Sequence, residues 1–177
     1  MPRLFTGLEI PQNLAQDLAT YRGGIHGARW IDAEFYHLTL RFIGDIDDAR
    51  ADEVYDTLGQ IRRKPFTVTL DALDTFGGDK PRAIIARARP NQELVELQAE
   101  QERLIRRIGM APEPRKFKPH VTLARLRATS AWSVAEYLSA RGLFLLRKFH
   151  VDRFVLFSAR ASTGGGPYIV EAEYPLG

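Results

Sequence analysis

The chain has 177 residues, 45% of them hydrophobic and 27% charged, with 25 Lys and Arg against 22 Asp and Glu. A chain of this length buries roughly 70% of its unfolded surface without disulfides or a structural metal, and its zero cysteines exclude thiolate catalysis, iron–sulfur ligation and a disulfide-stapled secreted scaffold. No apolar run reaches the ~18–20 residues that span a bilayer, Met1-Pro2-Arg3-Leu4-Phe5 lacks a signal-peptide core, and a net charge of +3 admits an anionic partner without naming one, so the expectation is a cytoplasmic protein with no membrane association.

In chain order, residues 3 to 10 read as a strand stopped by Pro11. Leu14, Leu18 and Tyr21 keep helical spacing up to Gly23-Gly24, which predicts a helix over 11–22. Tyr36 to Ile43 is strand-like. Asp47 and Asp48 then open a helix whose stripe, Val54, Leu58 and Ile61, carries it to about Ile61. Phe66 to Leu70 alternates with period two and pairs with Ala83 to Ala88 across Gly77-Gly78-Asp79-Lys80-Pro81. Pro90-Asn91 opens a helix running to Gly109, and Pro112-Glu113-Pro114 separates it from a strand over His120 to Leu126. Trp132 to Arg141 reads as a helix ending at Gly142. Two long strands, about 144–159 and 167–174, close the chain around Ser162-Thr163-Gly164-Gly165-Gly166. Strands and helices in mixed order with hairpins predict an α+β fold with antiparallel sheets, and no linker or low-complexity tract divides residues 1–177 into separate domains.

Chemistry concentrates in one repeat. His37-Leu38-Thr39-Leu40 and His120-Val121-Thr122-Leu123 share the pattern His, apolar, Thr, Leu, and the chain has only four histidines. With Thr this sparse, two of four histidines followed by apolar-Thr-apolar is a chance event of about one in a thousand. Alternate residues of a strand share a face, so each motif turns its His and Thr to one side and two apolar residues into a core. Two such strands put two imidazoles and two hydroxyls around one space. A pair of imidazoles serves as general base and general acid in one displacement, the hydroxyls hold phosphate oxygens, and Arg125 offsets charge developing on phosphorus. Arg125 stands at an odd offset from His120, so it reaches that face only where the strand ends or bulges after Leu123.

These residues resemble the two-histidine phosphoesterases, specifically the RNA 2′,3′-cyclic phosphodiesterases historically called 2′-5′ RNA ligases. The resemblance runs from Arg3-Leu4-Phe5 through Ile10-Pro11, Trp30 and His37 to Asp45, then Phe117 to Arg125, and ends on Phe154 to Ser158 and Gly166-Pro167-Tyr168. It implies a single bilobal domain over 1–177, with two antiparallel sheets facing a central cleft, helices outside, one motif on each sheet, and no metal or other cofactor. It implies His37 and His120 as the catalytic pair, of which we assign His37 as proton donor and His120 as proton acceptor, and Thr39, Thr122 and Arg125 as phosphate-binding residues. Phe42 is expected beside a base or sugar, and Arg115 and Lys118 beside RNA phosphates. The expected reaction opens RNA 2′,3′-cyclic phosphates, tRNA fragments among them, to 2′-phosphates in a monomer, with minor reversible 2′-5′ ligation. Alternatives are action on ADP-ribose 1″,2″-cyclic phosphate or 2′-5′ oligonucleotides, and a non-catalytic RNA-binding module. Phe35-Tyr36 departs from the Asn-apolar pair that many members carry before the first motif histidine, which leaves a supporting hydrogen bond to that histidine without its usual source. His26 and His150 have no comparable context and read as surface or structural residues.

Overall fold

A computed structural model describes residues 3–141, 143–159 and 166–177. The expected terminus of a helix at Gly142 and the glycine loop at Ser162-Thr163-Gly164-Gly165 lie outside the described residues. The elements run β1 (Arg3–Glu9), α1 (Gln12–Ala19), β2 (Ala28–Trp30), β3 (His37–Asp45), α2 (Asp48–Leu58), β4 (Phe66–Phe76), β5 (Ala83–Ala88), α3 (Gln92–Arg107), β6 (His120–Leu126), α4 (Ala131–Ala140), β7 (Arg147–Val151), β8 (Arg153–Ser158) and β9 (Ile169–Pro175). Three helices start on side-chain caps. Asp47, Asn91 and Ser130 accept from the backbone N–H groups of Arg50, Leu94 and Ser133, at 2.8, 2.8 and 3.0 Å, satisfying donors that the first helical turn leaves unpaired.

The strands pair antiparallel in the order β7-β4-β5-β6-β3-β1-β8-β9, with β2 joined to β6. The α+β, antiparallel expectation holds. The strands form one continuous sheet where two were expected; its two halves, the counterparts of the expected sheets, join through one paired position, Leu38 opposite Val121. One half takes β4 to β7 from a single run of chain and adds β2 from upstream, whereas the other joins β1 and β3 to β8 and β9 from the far end of the chain. The helices cover one face. Leu14 and Leu18 of α1, Val54 and Leu58 of α2, Leu97 and Ile105 of α3 and Val134 of α4 pack in one core with Leu38, Leu40, Val68, Ile84, Val121 and Leu123. A fully buried side chain of this kind contributes about 1.5–3 kcal/mol, so the helix-facing residues fix which face of each strand is left for chemistry.

Three expectations are corrected. The predicted strand 144–159 is two strands, β7 and β8, on opposite halves of the order. Phe149 and Val151, and then Phe154 and Leu156, face the main core, and this alternation slips phase at Asp152, where the chain changes sides. The helix expected to reach residue 22 ends at Ala19, followed by the turns of Thr20 and Tyr21 onto Asp17 and Leu18. β2 and a short turn of 3-10 helix over Ala33–Phe35 were not expected, since three residues are too few for a period to show. Among the described residues no helix is long and apolar enough to cross a membrane.

Candidate active site

β3 and β6 are twins in detail. The apolar residue after each histidine, Leu38 or Val121, is fully buried and is the partner of the other. Positions flanking an antiparallel pair lie opposite one another, so His37 sits across from Thr122 and Thr39 across from His120, all on the face away from the helices. Two imidazoles and two hydroxyls thus surround one point of approximate two-fold symmetry. The apolar neighbours anchor that point in the core.

Both strands then bulge at the same motif position. Across β1, Thr6 faces Arg41 and Gly7 faces Thr39, leaving Leu40 as the extra residue; across β5, Ile84 faces Ala124 and Ile85 faces Thr122, leaving Leu123. A bulge resets the alternation. Leu40 with Arg41, and Leu123 with Ala124, become consecutive buried residues, and the next residues, Phe42 and Arg125, return to the histidine face, exposed. The condition set for Arg125 by its odd offset is therefore met. Gly7 beside Thr39 has no room for more: a Cβ would stand 2.8 Å from the Leu38 carbonyl oxygen.

Each histidine is fixed the same way. His37 Nδ1 lies 2.9 Å from the Phe35 carbonyl oxygen and His120 Nδ1 lies 2.6 Å from that of Lys118, two residues back in both cases. A carbonyl only accepts, so each Nδ1 carries hydrogen and donates, and each Nε2 is left for the shared face. The bond to His37 comes from backbone, so the departure at Phe35-Tyr36 does not remove it. Burial pushes the His37 imidazole down to about 4, against the opposing pull of the Phe35 carbonyl, with His120 and Arg125 lowering it further. His120 is lowered by burial first and by Arg125 after it. Both rings are lowered by Arg125, which puts the two imidazoles and this guanidinium within one electrostatic neighbourhood.

The walls differ. Around His37 stand Phe5 at 4.9 Å, Phe157 at 5.6 Å and the edge-on ring of Tyr168 at 5.0 Å between centroids. Phe42 lies 5.7 Å from Phe5. Tyr168 is held in turn by Phe35 at 5.8 Å, and Phe35 fills the space where a Cβ on Gly166, at φ +100°, would meet it at 2.5 Å. Against His120 lies Phe76, edge-on at 4.7 Å. The other sequence-predicted residues lie at the mouth. The Arg115 guanidinium is 5.8 Å from the Phe42 ring and is held by Glu113 at 2.8 Å, while Lys118 is exposed and supplies the carbonyl that orients His120. His26 and His150 are exposed and outside this set.

Behind the site is a buried ion pair that sequence reasoning missed. Arg41, 6% exposed, donates to Glu102 at 2.5 Å, to the Ala111 carbonyl at 2.6 Å and to the Phe42 carbonyl. Glu102 also accepts from the Glu113 N–H at 3.1 Å. The first motif strand is thereby tied to the segment that leads into the second. Phe5, Phe76, Phe157 and Tyr168 were likewise unassigned, because strand register, invisible in a single sequence, decides which ring meets which histidine.

Two consecutive stretches, residues 8–86 and 85–168, each match the LigT like Phosphoesterase family, and each holds one of the two motifs. The chain belongs to that family. An RNA 2′,3′-cyclic phosphodiesterase of Aquifex aeolicus is 31% identical over 154 residues, covering 84% of this chain and 82% of that protein. Escherichia coli LigT complexed with 3′-AMP superposes with a TM-score of 0.78 at 23% identity, covering 99% of each chain. A Thermus thermophilus structure reaches 0.80 at 22%, covering 98% of this chain and 97% of its own. At those identities the structural likeness speaks for the fold, and it agrees with the architecture above. Among the described residues no three His, Cys, Asp or Glu side chains cluster as a metal site would require.

Proposed function

We propose that this LigT-like phosphoesterase hydrolyses RNA 2′,3′-cyclic phosphate ends to 2′-phosphomonoesters by acid–base catalysis between its two motif histidines. The observation that carries the reading is the matched pair: two imidazoles across one symmetric point, each with Nδ1 pinned to a carbonyl and Nε2 left for the reaction. Its similarity to proteins named RNA 2′,3′-cyclic phosphodiesterase supplies the substrate class. His120 Nε2 takes a proton from water as the water oxygen bonds to phosphorus. The bond from phosphorus to O3′ breaks in line, and His37 gives O3′ its proton. Thr39 and Thr122 donate to the non-bridging oxygens, and Arg125 balances the charge that builds there. Phe42 meets the terminal base or sugar; Arg115 and Lys118 meet RNA phosphates.

An imidazole held at about 4 is neutral at pH 7, so His37 must gain its proton with the substrate. The phosphate anion does this: its negative charge favours the imidazolium against the burial that mainly lowers His37 in the free protein, and it offsets the smaller effect of Arg125. Anion and proton are taken up together. Both motifs come from one chain, which supports residues 1–177 acting as one bilobal unit and as a monomer. The reversible direction, attack of a 5′-hydroxyl on the cyclic phosphate, gives minor 2′-5′ joining, and water dominates by concentration.

The test is product analysis by phosphorus NMR after incubating a cyclic-phosphate-ended oligoribonucleotide with the protein in excess EDTA. A 2′-phosphate product is expected. Return of the RNA unchanged would identify a binding module, a 3′-phosphate product would contradict O3′ as the leaving group that His37 protonates, and activity restored only by added zinc or magnesium would contradict the histidine-pair mechanism.

A further inference from the structure

The twin bulges account for Arg125 but leave a second arginine beside it unexplained. β2 is three residues long, and its central residue, Arg29, is the register partner of Arg125 on β6. Paired residues of adjacent strands point to the same face. The neighbours of Arg29 agree: Trp30 lies opposite buried Ala124 and packs toward the core, 6.0 Å from Tyr137, so exposed Arg29 takes the opposite side, the face of the histidines.

Two like charges directly opposite across a strand pair destabilise it. The fold nevertheless holds β2 in this register with care. Ile31 N–H donates to the Leu123 carbonyl at 2.9 Å, Arg127 N–H to the Gly27 carbonyl at 3.0 Å, and the Thr129 hydroxyl to the His26 carbonyl at 2.8 Å. Gly27, at φ +82°, lies so near Arg127 that a Cβ would meet its carbonyl oxygen at 2.3 Å. On the other flank of Arg125 stands Ala83, which leaves room beside the pair.

We infer that Arg29 and Arg125 make a neighbouring phosphate subsite in which Arg29 binds the internucleotide phosphate on the 5′ side of the terminal nucleoside. The inference rests on the cyclic phosphodiesterase reading and adds its substrate class: RNA strands in preference to free mononucleoside cyclic phosphates. Arg125 is the guanidinium felt by both imidazoles. β2 runs one strand spacing to the side of β6, about 5 Å, so Arg29 is displaced from the reacting phosphate toward the next one along the strand. An anion between the two guanidinium groups turns their repulsion into attraction. The opposite wall is built from the rings of Phe5, Phe42, Phe157 and Tyr168, and the cation that reaches it, Arg115 over Phe42, is paired with Glu113, so a strand with its terminal base on that side has its phosphates toward β2 and β6.

The test compares a mononucleoside 2′,3′-cyclic phosphate with a short oligoribonucleotide ending in the same nucleoside cyclic phosphate, for wild type and Arg29→Ala. The ratio of the two kcat/KM values, oligonucleotide over mononucleotide, is expected to fall about tenfold, through KM, as one charged hydrogen bond is lost. The slope of log(kcat/KM) against log salt for the oligonucleotide should flatten by about 0.7, one phosphate contact on a single strand. Arg29→Lys should keep most of the slope. An unchanged ratio and slope would overturn the subsite even if absolute rates fell. Should Arg29→Ala lose its thermal transition, Arg29→Gln and Arg29→Lys carry the same comparison. If wild type turns over neither substrate, the phosphodiesterase reading fails. The subsite is then read from salt-dependent binding of a labelled oligonucleotide: a slope reduced in Arg29→Gln supports it and an equal slope rejects it.

Discussion

Holding His37 neutral has a cost that appears only in acid, and its size follows from the structure. The ring is pushed from the ordinary 6.5 to about 4. In the unfolded chain it binds a proton as pH falls through 6.5, whereas in the folded protein it waits until about 4, so folding stability is lost as pH falls through that window and nothing is lost above it. For one site the loss works out at about 2 kcal/mol at pH 5 and about 3 kcal/mol at pH 4, an upper limit because the ring edge meets solvent. His37→Asn removes the titration while leaving an amide N–H for the Phe35 carbonyl. Urea unfolding of both proteins from pH 7.5 to 4.5 isolates the effect, since His120 and the carboxylates titrate in both and cancel in the difference. The stability of His37→Asn relative to wild type should rise by up to about 2 kcal/mol between pH 7.5 and 5. Parallel curves for the two proteins would refute the argument that burial and the cationic neighbours keep His37 deprotonated.

Filling the site with inorganic phosphate should move the His37 titration upward from about 4, followed as the imidazole carbon-bound proton in an NMR titration; an unmoved midpoint would contradict joint uptake of anion and proton. Arg125→Ala should lower kcat with little change in KM, and Arg125→Lys should recover only part of the rate, because lysine keeps the charge and loses the planar fork; a KM effect alone would mean uniform binding. Glu102→Gln leaves Arg41 buried without its carboxylate and should cost about 3–5 kcal/mol in stability, read by urea unfolding; a loss below about 1 kcal/mol would mean the pair is not essential. The double variant Arg41→Met, Glu102→Met should regain much of that stability yet show reduced kcat, since the segment before His120 loses its tie to the first motif strand. Full kcat in the double variant would make the pair purely structural.

The parts of the molecule that repeat with a period were legible. Strand alternation placed His37, Thr39, His120 and Thr122, and the helical stripes through Val54 and Leu58 and through Leu97 and Ile105 identified their core faces. The family resemblance contributed the bilobal arrangement, which alternation alone does not contain. What could not be read depends on register. The bulges at Leu40 and Leu123 leave one extra apolar residue in each strand, indistinguishable in sequence from regular pairing until the partner strand is known. The ring that meets each histidine comes from a distant element, Tyr168 for one and Phe76 for the other. Asp152 turns the chain from one half of the sheet to the other between runs that are both apolar, so the composition hides the crossing and only the slipped phase marks it. Nothing in the sequence marks Arg41 for burial, which follows from the bulge beside it.

The central claim is that two histidines share one proton-transfer step, and turnover of a cyclic-phosphate-ended oligoribonucleotide by His37→Ala and His120→Ala tests it most directly, with thermal melts to verify folding. Each substitution should lower kcat by about 10²–10⁴-fold, and the double substitution should cost far less than the product of the two, as groups that act as one unit do. Near-normal turnover in either folded single variant would contradict the account.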